Sequence, residues 1–302
     1  MLPEPLTLTL HEELDFDWES HDAAGAARVC RVLLETELLA TGDAVPGGNF
    51  ELRGRAGVLA GECEKRLAAA LERELVSSGL GAWYGTWNPD ARKAVGLSVA
   101  FEAPLRSRHA QQAARDGDLL AVSGEPGERA ALRSLAVSSG GWDRLLLHPP
   151  VGARRAIERE RNLEPPRGIA ALVRRDRLRG VASLARGLPS AVALLSGAFG
   201  AEIWIEDLPM GATAHRAAER ERCEVSVFAL LECAEPELLM ALEPSEYFHM
   251  ERMAQAEGLR LTVMGRVVSR GAGLSRVTEG GVPVPLPASK RLPESRSSRE
   301  SA

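Results

Sequence analysis

The chain has 302 residues, 45% of them hydrophobic and 26% charged, which suffices for one large or two smaller globular cores and excludes wholesale disorder. Its 37 basic residues are outnumbered by 42 acidic ones, and no basic block precedes residue 288, so no nucleic-acid partner is expected. Cys30, Cys63, Cys223 and Cys233 form no Cys-x-x-Cys pair, residues 1–12 lack the basic start and apolar run of a signal peptide, and no apolar stretch is long enough to span a bilayer. A cytoplasmic chain without membrane contact is expected.

Leu6, Leu8 and Leu10 alternate with threonines, which predicts an opening strand. Asp22 is placed to cap a helix carrying Ala26, Val29, Cys30, Leu33 and Leu34, with Gly42 at its end. The glycine-rich stretch 42–50 reads as a loop, either a tight surface turn or a phosphate cradle. A second helix follows with its stripe at Leu59, Cys63, Leu67, Leu71 and Leu75, ended by Gly79. Residues 81–84 and 95–101 read as strands, so this part has the order β-α-α-β-β. Polar residues 102–116 mark the boundary between two domains, 1–105 and 115–287.

The second unit opens with a buried strand at 119–122, then helices at 129–137 and 151–161. Beyond the break at 164–168, strand and helix alternate: strand 179–184, helix 188–199, strand 201–206, helix 213–222, strand 225–231. A helical region at 236–257 and strands at 259–268 and 274–277 complete the domain. Residues 288–302, rich in Ser, Arg and Glu, are expected to form a disordered tail.

Four stretches in this order resemble the superfamily named after aminoimidazole ribonucleotide synthetase (AIR synthase, PurM-like). The segment from Asp22 to Gly42 is similar to its first long helix. Residues 115–124, Arg-Asp-Gly-Asp-Leu-Leu-Ala-Val-Ser-Gly, resemble the Pro-Gly-Asp-x-Leu-x-x-(Ser/Thr)-Gly opening of its second domain. Residues 183–188, Ser-Leu-Ala-Arg-Gly-Leu, resemble an Asp-x-Thr-Arg-Gly-Gly segment, followed by an acidic strand ending in Leu208-Pro209. Residues 263–267, Val-Met-Gly-Arg-Val, resemble a strand near the family's C-terminus.

The resemblance implies an α/β (α+β) fold of two domains: an N-terminal sheet-and-helix dimerisation domain and a C-terminal α/β sandwich. It implies a homodimer, ATP and magnesium as cofactors, and phosphoryl transfer of the kind carried out by thiamine-monophosphate kinase, formylglycinamidine ribonucleotide synthase or the hydrogenase-maturation carbamoyl dehydratase. Such chemistry needs carboxylates to hold magnesium against phosphates. The family's acidic turn falls on Tyr84-Gly85-Thr86-Trp87, leaving Thr86 at the acidic position, and its cleft aspartate falls on Ser183. The dehydratase's carrier cysteine has no counterpart, since no cysteine follows Cys233.

With these acids eroded, the expectation is a divergent, non-catalytic or altered paralogue that serves as a dimeric binding or assembly partner. The alternative is an ATP-dependent kinase or ligase with a rebuilt site. Candidate phosphate- or nucleotide-binding residues are Ser183, Arg186, Gly187, Asp118, Gly85 and Thr86. Arg186 either faces phosphate at a helix N-terminus or pairs with a nearby acid. Asp118 either ligates metal or caps its own turn. In period-2 geometry His11, Glu13, Asp15 and Asp17 share a face and could hold a divalent ion, or stand as solvated charge. Trp83, Tyr84 and Trp87 either stack on a ligand or pack into the core.

Overall fold

The computed structural model describes residues 6–10, 23–44, 46–53, 60–88, 98–108, 114–163, 173, 178–197, 199–231, 234–269, 274–277 and 284–285. Asp22, the cluster at His11, Glu13, Asp15 and Asp17, and the tail 288–302 lie outside them.

The first half runs β1 (Leu6–Leu10), α1 (Ala23–Thr41), β2 (Gly42–Ala44), β3 (Gly48–Arg53), α2 (Ala60–Ser77), β4 (Trp83–Asn88), β5 (Ser98–Ala103) and β6 (Leu105–Arg108). Strands β1, β5, β3 and β4 form a sheet in that order, with β3 and β4 parallel, while β2 and β6 pair separately. Alternation puts Phe50 and Leu52 of β3, Val99 and Phe101 of β5 and Trp83 of β4 on the buried face, in one core with α1 and α2. Phe50 and Phe101 are directly opposite in register, and Trp83 meets Phe101 edge-on with ring centroids 5.8 Å apart. The α2 stripe is buried at Leu67, Leu71 and Leu75. Buried Arg31 ties the helices together, donating to Glu35 at 2.8 Å and to Glu74 of α2 at 3.1 Å.

Two sequence expectations are corrected here. The glycine-rich stretch is strand at both ends, in β2 and the start of β3, and its glycines let strands approach closely. A Cβ on Gly47 would lie 2.8 Å from the Ala82 carbonyl oxygen, and one on Gly48 2.5 Å from that of Glu102. Residues 84–87 are not a turn but the middle of β4, held by parallel pairing with β3. The polar stretch at 102–116 contributes the end of β5 and all of β6, since Ala103 and Leu105 are buried.

The second half contains β7 (Leu119–Ser123), α3 (Glu128–Ser139), α4 (Trp142–Leu147), α5 (Ala153–Arg161), β8 (Leu178–Ser183), α6 (Leu188–Ser196), β9 (Gly200–Trp204), α7 (Ala212–Glu221), β10 (Leu238–Leu242), α8 (Tyr247–Ala256), β11 (Leu261–Val268), β12 (Leu274–Val277) and β13 (Val284–Pro285). Its sheet has the order β13-β12-β9-β11-β7-β10-β8. Leu120, Val122, Ala182 and Leu239 face α6, whereas Ala121, Val181 and Met240 face α8. The fold is a mixed α/β sandwich.

Two further expectations fail in this half. Residues 236–257 are not one helix: Leu238–Leu242 is a strand buried at every position between β7 and β8, and only Tyr247–Ala256 is helical. A short apolar run without alternation fits a doubly covered strand as well as a buried helix, so periodicity does not separate the two. Residues 225–231 are not a strand but begin with a 3-10 turn, Val225–Val227, whose continuation packs against Gly127, where a Cβ would lie 2.6 Å from the Ala229 nitrogen. No helix among the described residues is long and apolar enough to cross a membrane.

Candidate functional site

The ends of β7, β10 and edge strand β8 meet the N-terminal half. Ser183 ends β8 opposite Leu238, and Ser123 ends β7 beside the same residue, its Oγ accepting the Leu238 N–H at 2.9 Å. Helix α1 packs against β8, and Ala185, Leu163 and Ala234 enter the N-terminal core. A polar seam therefore runs between the two sheets.

At one end of the seam, the buried Ser183 hydroxyl bonds the Glu37 carboxylate of α1. Its Oγ also accepts the Ala185 N–H as the chain enters a 3-10 turn, Leu184–Arg186. Burial pushes the Glu37 carboxyl above its usual pKa, against the pull of Ser183 and the Arg186 guanidinium. Gly187, at φ +82°, then starts α6, with Pro189 in its first turn. The structure thus brings Ser183, Arg186 and Gly187 together, and puts an acid of α1 in front of them. Replacing Ser183 with alanine leaves that buried carboxylate without its hydroxyl donor. A loss of about 1–3 kcal/mol is expected in urea unfolding; a neutral substitution would show that water reaches Glu37.

The other candidates lie elsewhere. Asp118 precedes β7 at the end opposite Ser123, about 15 Å away by strand rise. It is 3% exposed, its carboxylate accepts the Arg115 N–H at 2.7 Å, and its carbonyl accepts that of Val267. Gly85 and Thr86 are exposed on edge strand β4, where a Cβ at Gly85 would lie 2.5 Å from Cζ of Phe50. Trp83 is core, its Nε1 donating to the Leu80 carbonyl, and Tyr84 is 70% exposed. Among the described residues no three His, Cys, Asp or Glu side chains converge to hold a metal ion. An engaged serine, an engaged and distant aspartate and an uncharged threonine do not fit magnesium held against phosphates.

The further end of the seam holds a buried acid cluster that sequence reasoning missed. Glu237 accepts the Ser123 hydroxyl at 2.7 Å and the Arg159 guanidinium at 2.5 Å, and a Cβ at Gly124 would overlap its carboxylate. Glu235 accepts the Arg129 N–H at 3.0 Å. Buried Arg129 also donates to Glu160 at 3.0 Å and to the Ala234 carbonyl at 2.6 Å. Burial drives the Glu235 carboxyl up to about 8 and that of Glu237 up to about 7, despite the adjacent guanidiniums. Glu128 accepts the Thr213 hydroxyl at 3.1 Å at the start of α7. The available signal was Glu235-Pro236-Glu237, two acids flanking a proline directly before the uncharged run of β10.

No family model matches the chain, and no curated protein matches it significantly. Solved structures do. Thiamine monophosphate kinase from Aquifex aeolicus superposes with a TM-score of 0.66 at 18% identity, over 93% of this chain and 88% of that one. The hydrogenase maturation protein HypE of E. coli gives 0.62 at 16% identity, covering 96% and 87%. PurLQS from Thermotoga maritima gives 0.58 at 15%, covering 94% of this chain and 45% of that one. All three are AIR synthase-like, and the kinase and HypE have the two-domain fold. The chain therefore has the AIR synthase-like (PurM-like) fold, as a divergent example of it.

Proposed function

We propose that the chain is a non-catalytic or altered AIR synthase-like protein, acting as a cytoplasmic homodimer in binding or assembly of a protein partner. The observation that carries this reading is the Ser183–Glu37 contact. Where the resemblance expects a metal-binding aspartate there is an uncharged hydroxyl, already engaged by a carboxylate of α1. We divide the chain into domains at 1–105 and 115–287, with a sheet in each, and assign dimerisation to the first. Its sheet has edge strands β1 and β4, and exposed Tyr84 lies on the latter.

Two measurements test this. ATP, ADP or AMP with magnesium or manganese should leave the melting temperature unchanged, since a bound ligand stabilises by mass action. Sedimentation should show a dimer; only the 32.4 kDa monomer at micromolar concentration would remove the dimer from the reading. One observation favours the alternative, an ATP-dependent phosphoryl-transfer enzyme: the Aquifex kinase has been solved with AMPPCP and TMP. On that reading nucleotide raises the melting temperature, and Arg186→Ala weakens its binding by about 1.5–3 kcal/mol.

A further inference from the structure

A small cleft lies at the outer end of the acid cluster, with room for about one water-sized group, ≈ 20 Å³. Glu125 and Glu128 line it beside Arg129 and Arg159, with Leu132, Ala156 and Pro236 as apolar lining. Glu128 is 9% exposed, and among the described residues its Oε1 is buried without a hydrogen-bond partner. That oxygen and Oε2 of Glu125 lie together over the Cα of Gly211, so a Cβ there would meet both.

Oε1 of Glu128 lacks a donor among the described residues, and an unpartnered buried acceptor is costly. The guanidiniums of Arg129 and Arg159 on the same cleft are engaged by Glu160 and Glu237. The positive end of α7 does not fill that need, because Oε2 of Glu128 already accepts there from Thr213. Two oxygens are few for a metal ion, which takes about six oxygen ligands. They suit an N–H donor carrying a charge, and the aliphatic walls suit the methylenes behind it.

We propose that this cleft binds a primary ammonium group, held by Glu125 and Glu128 with its alkyl stem leaving past Leu132, Ala156 and Pro236. The ammonium comes either from a small free amine or from a lysine side chain of a partner protein. The site stands whether or not the chain turns over nucleotide.

The test uses the full chain, with n-butylammonium chloride and Nα-acetyl-lysine amide as probes and calorimetry and melting temperature as readouts. Tetramethylammonium, which has no N–H, and sodium chloride at matched ionic strength are controls. Saturable stabilisation by either primary ammonium but by neither control is expected. Glu128→Gln, which keeps an acceptor for Thr213, and the partly exposed Glu125→Gln should each weaken binding about tenfold. Tighter butylammonium binding identifies a free amine as the source, and tighter lysine amide binding a partner chain. No saturable response, an equal response to tetramethylammonium, or binding unchanged in both variants overturns the proposal.

Discussion

Replacing Arg129 with methionine is expected to lower the unfolding free energy by about 3–5 kcal/mol in urea denaturation at pH 7, the range for removing one partner of a buried ion pair. The residue is 6% exposed, and its guanidinium serves Glu160 and the Ala234 carbonyl at once. Without it, Glu160 loses its guanidinium partner and the Ala234 oxygen loses a donor. Methionine fills similar volume, so the loss reads the charge more than a cavity. The exposed pair Arg216–Glu219 on α7 is the control, with side chains 51% and 67% accessible. Its Arg216→Met variant should change stability by no more than about 0.5 kcal/mol. Equal effects at the two sites would mean that the cluster is solvated.

Stability should fall as pH rises from about 5 to 8. Folded Glu235 holds its proton up to about pH 8 and Glu237 to about 7, while in the unfolded chain both release near the ordinary carboxylate value of 4.5. Within that window the folded state binds more protons, so each increment of pH favours unfolding. The contribution is whole below the unfolded pKa and gone once pH passes the folded one. One proton gives a slope of at most about 1.4 kcal/mol per pH unit. Glu37 and Glu128, also raised by burial, act with the same sign. Urea midpoints from pH 5 to 8.5 measure the slope. Glu235→Gln, whose amide oxygen still accepts the Arg129 N–H, should flatten it and exceed the parent in stability at pH 8. A flat or rising profile for the parent would contradict the buried acids.

The fold was legible where local pattern and tertiary burial agree. The α2 stripe at Leu67, Leu71 and Leu75 and the run Leu120 to Val122 are buried as their spacing requires. Strand β10 was misread because Leu238–Leu242 is covered on both faces, which erases the alternation that marks a strand. At the site, Ser183, Arg186 and Gly187 were named through resemblance, and being near in sequence they share one turn between β8 and α6. Glu37 was not, since it lies 146 residues from Ser183 in a helix whose signal was its apolar face. The acids at 128, 235 and 237 are brought together by the β7–β10 pairing and by α3, a long-range arrangement that local spacing does not reveal.

Phosphate release from ATP decides most directly whether this cleft does chemistry. At micromolar protein, saturating ATP and magnesium, followed over hours, release should stay at the protein-free blank for the parent chain and for Arg186→Ala alike. Release that scales with parent protein and disappears in Arg186→Ala or Asp118→Asn would contradict the non-catalytic reading.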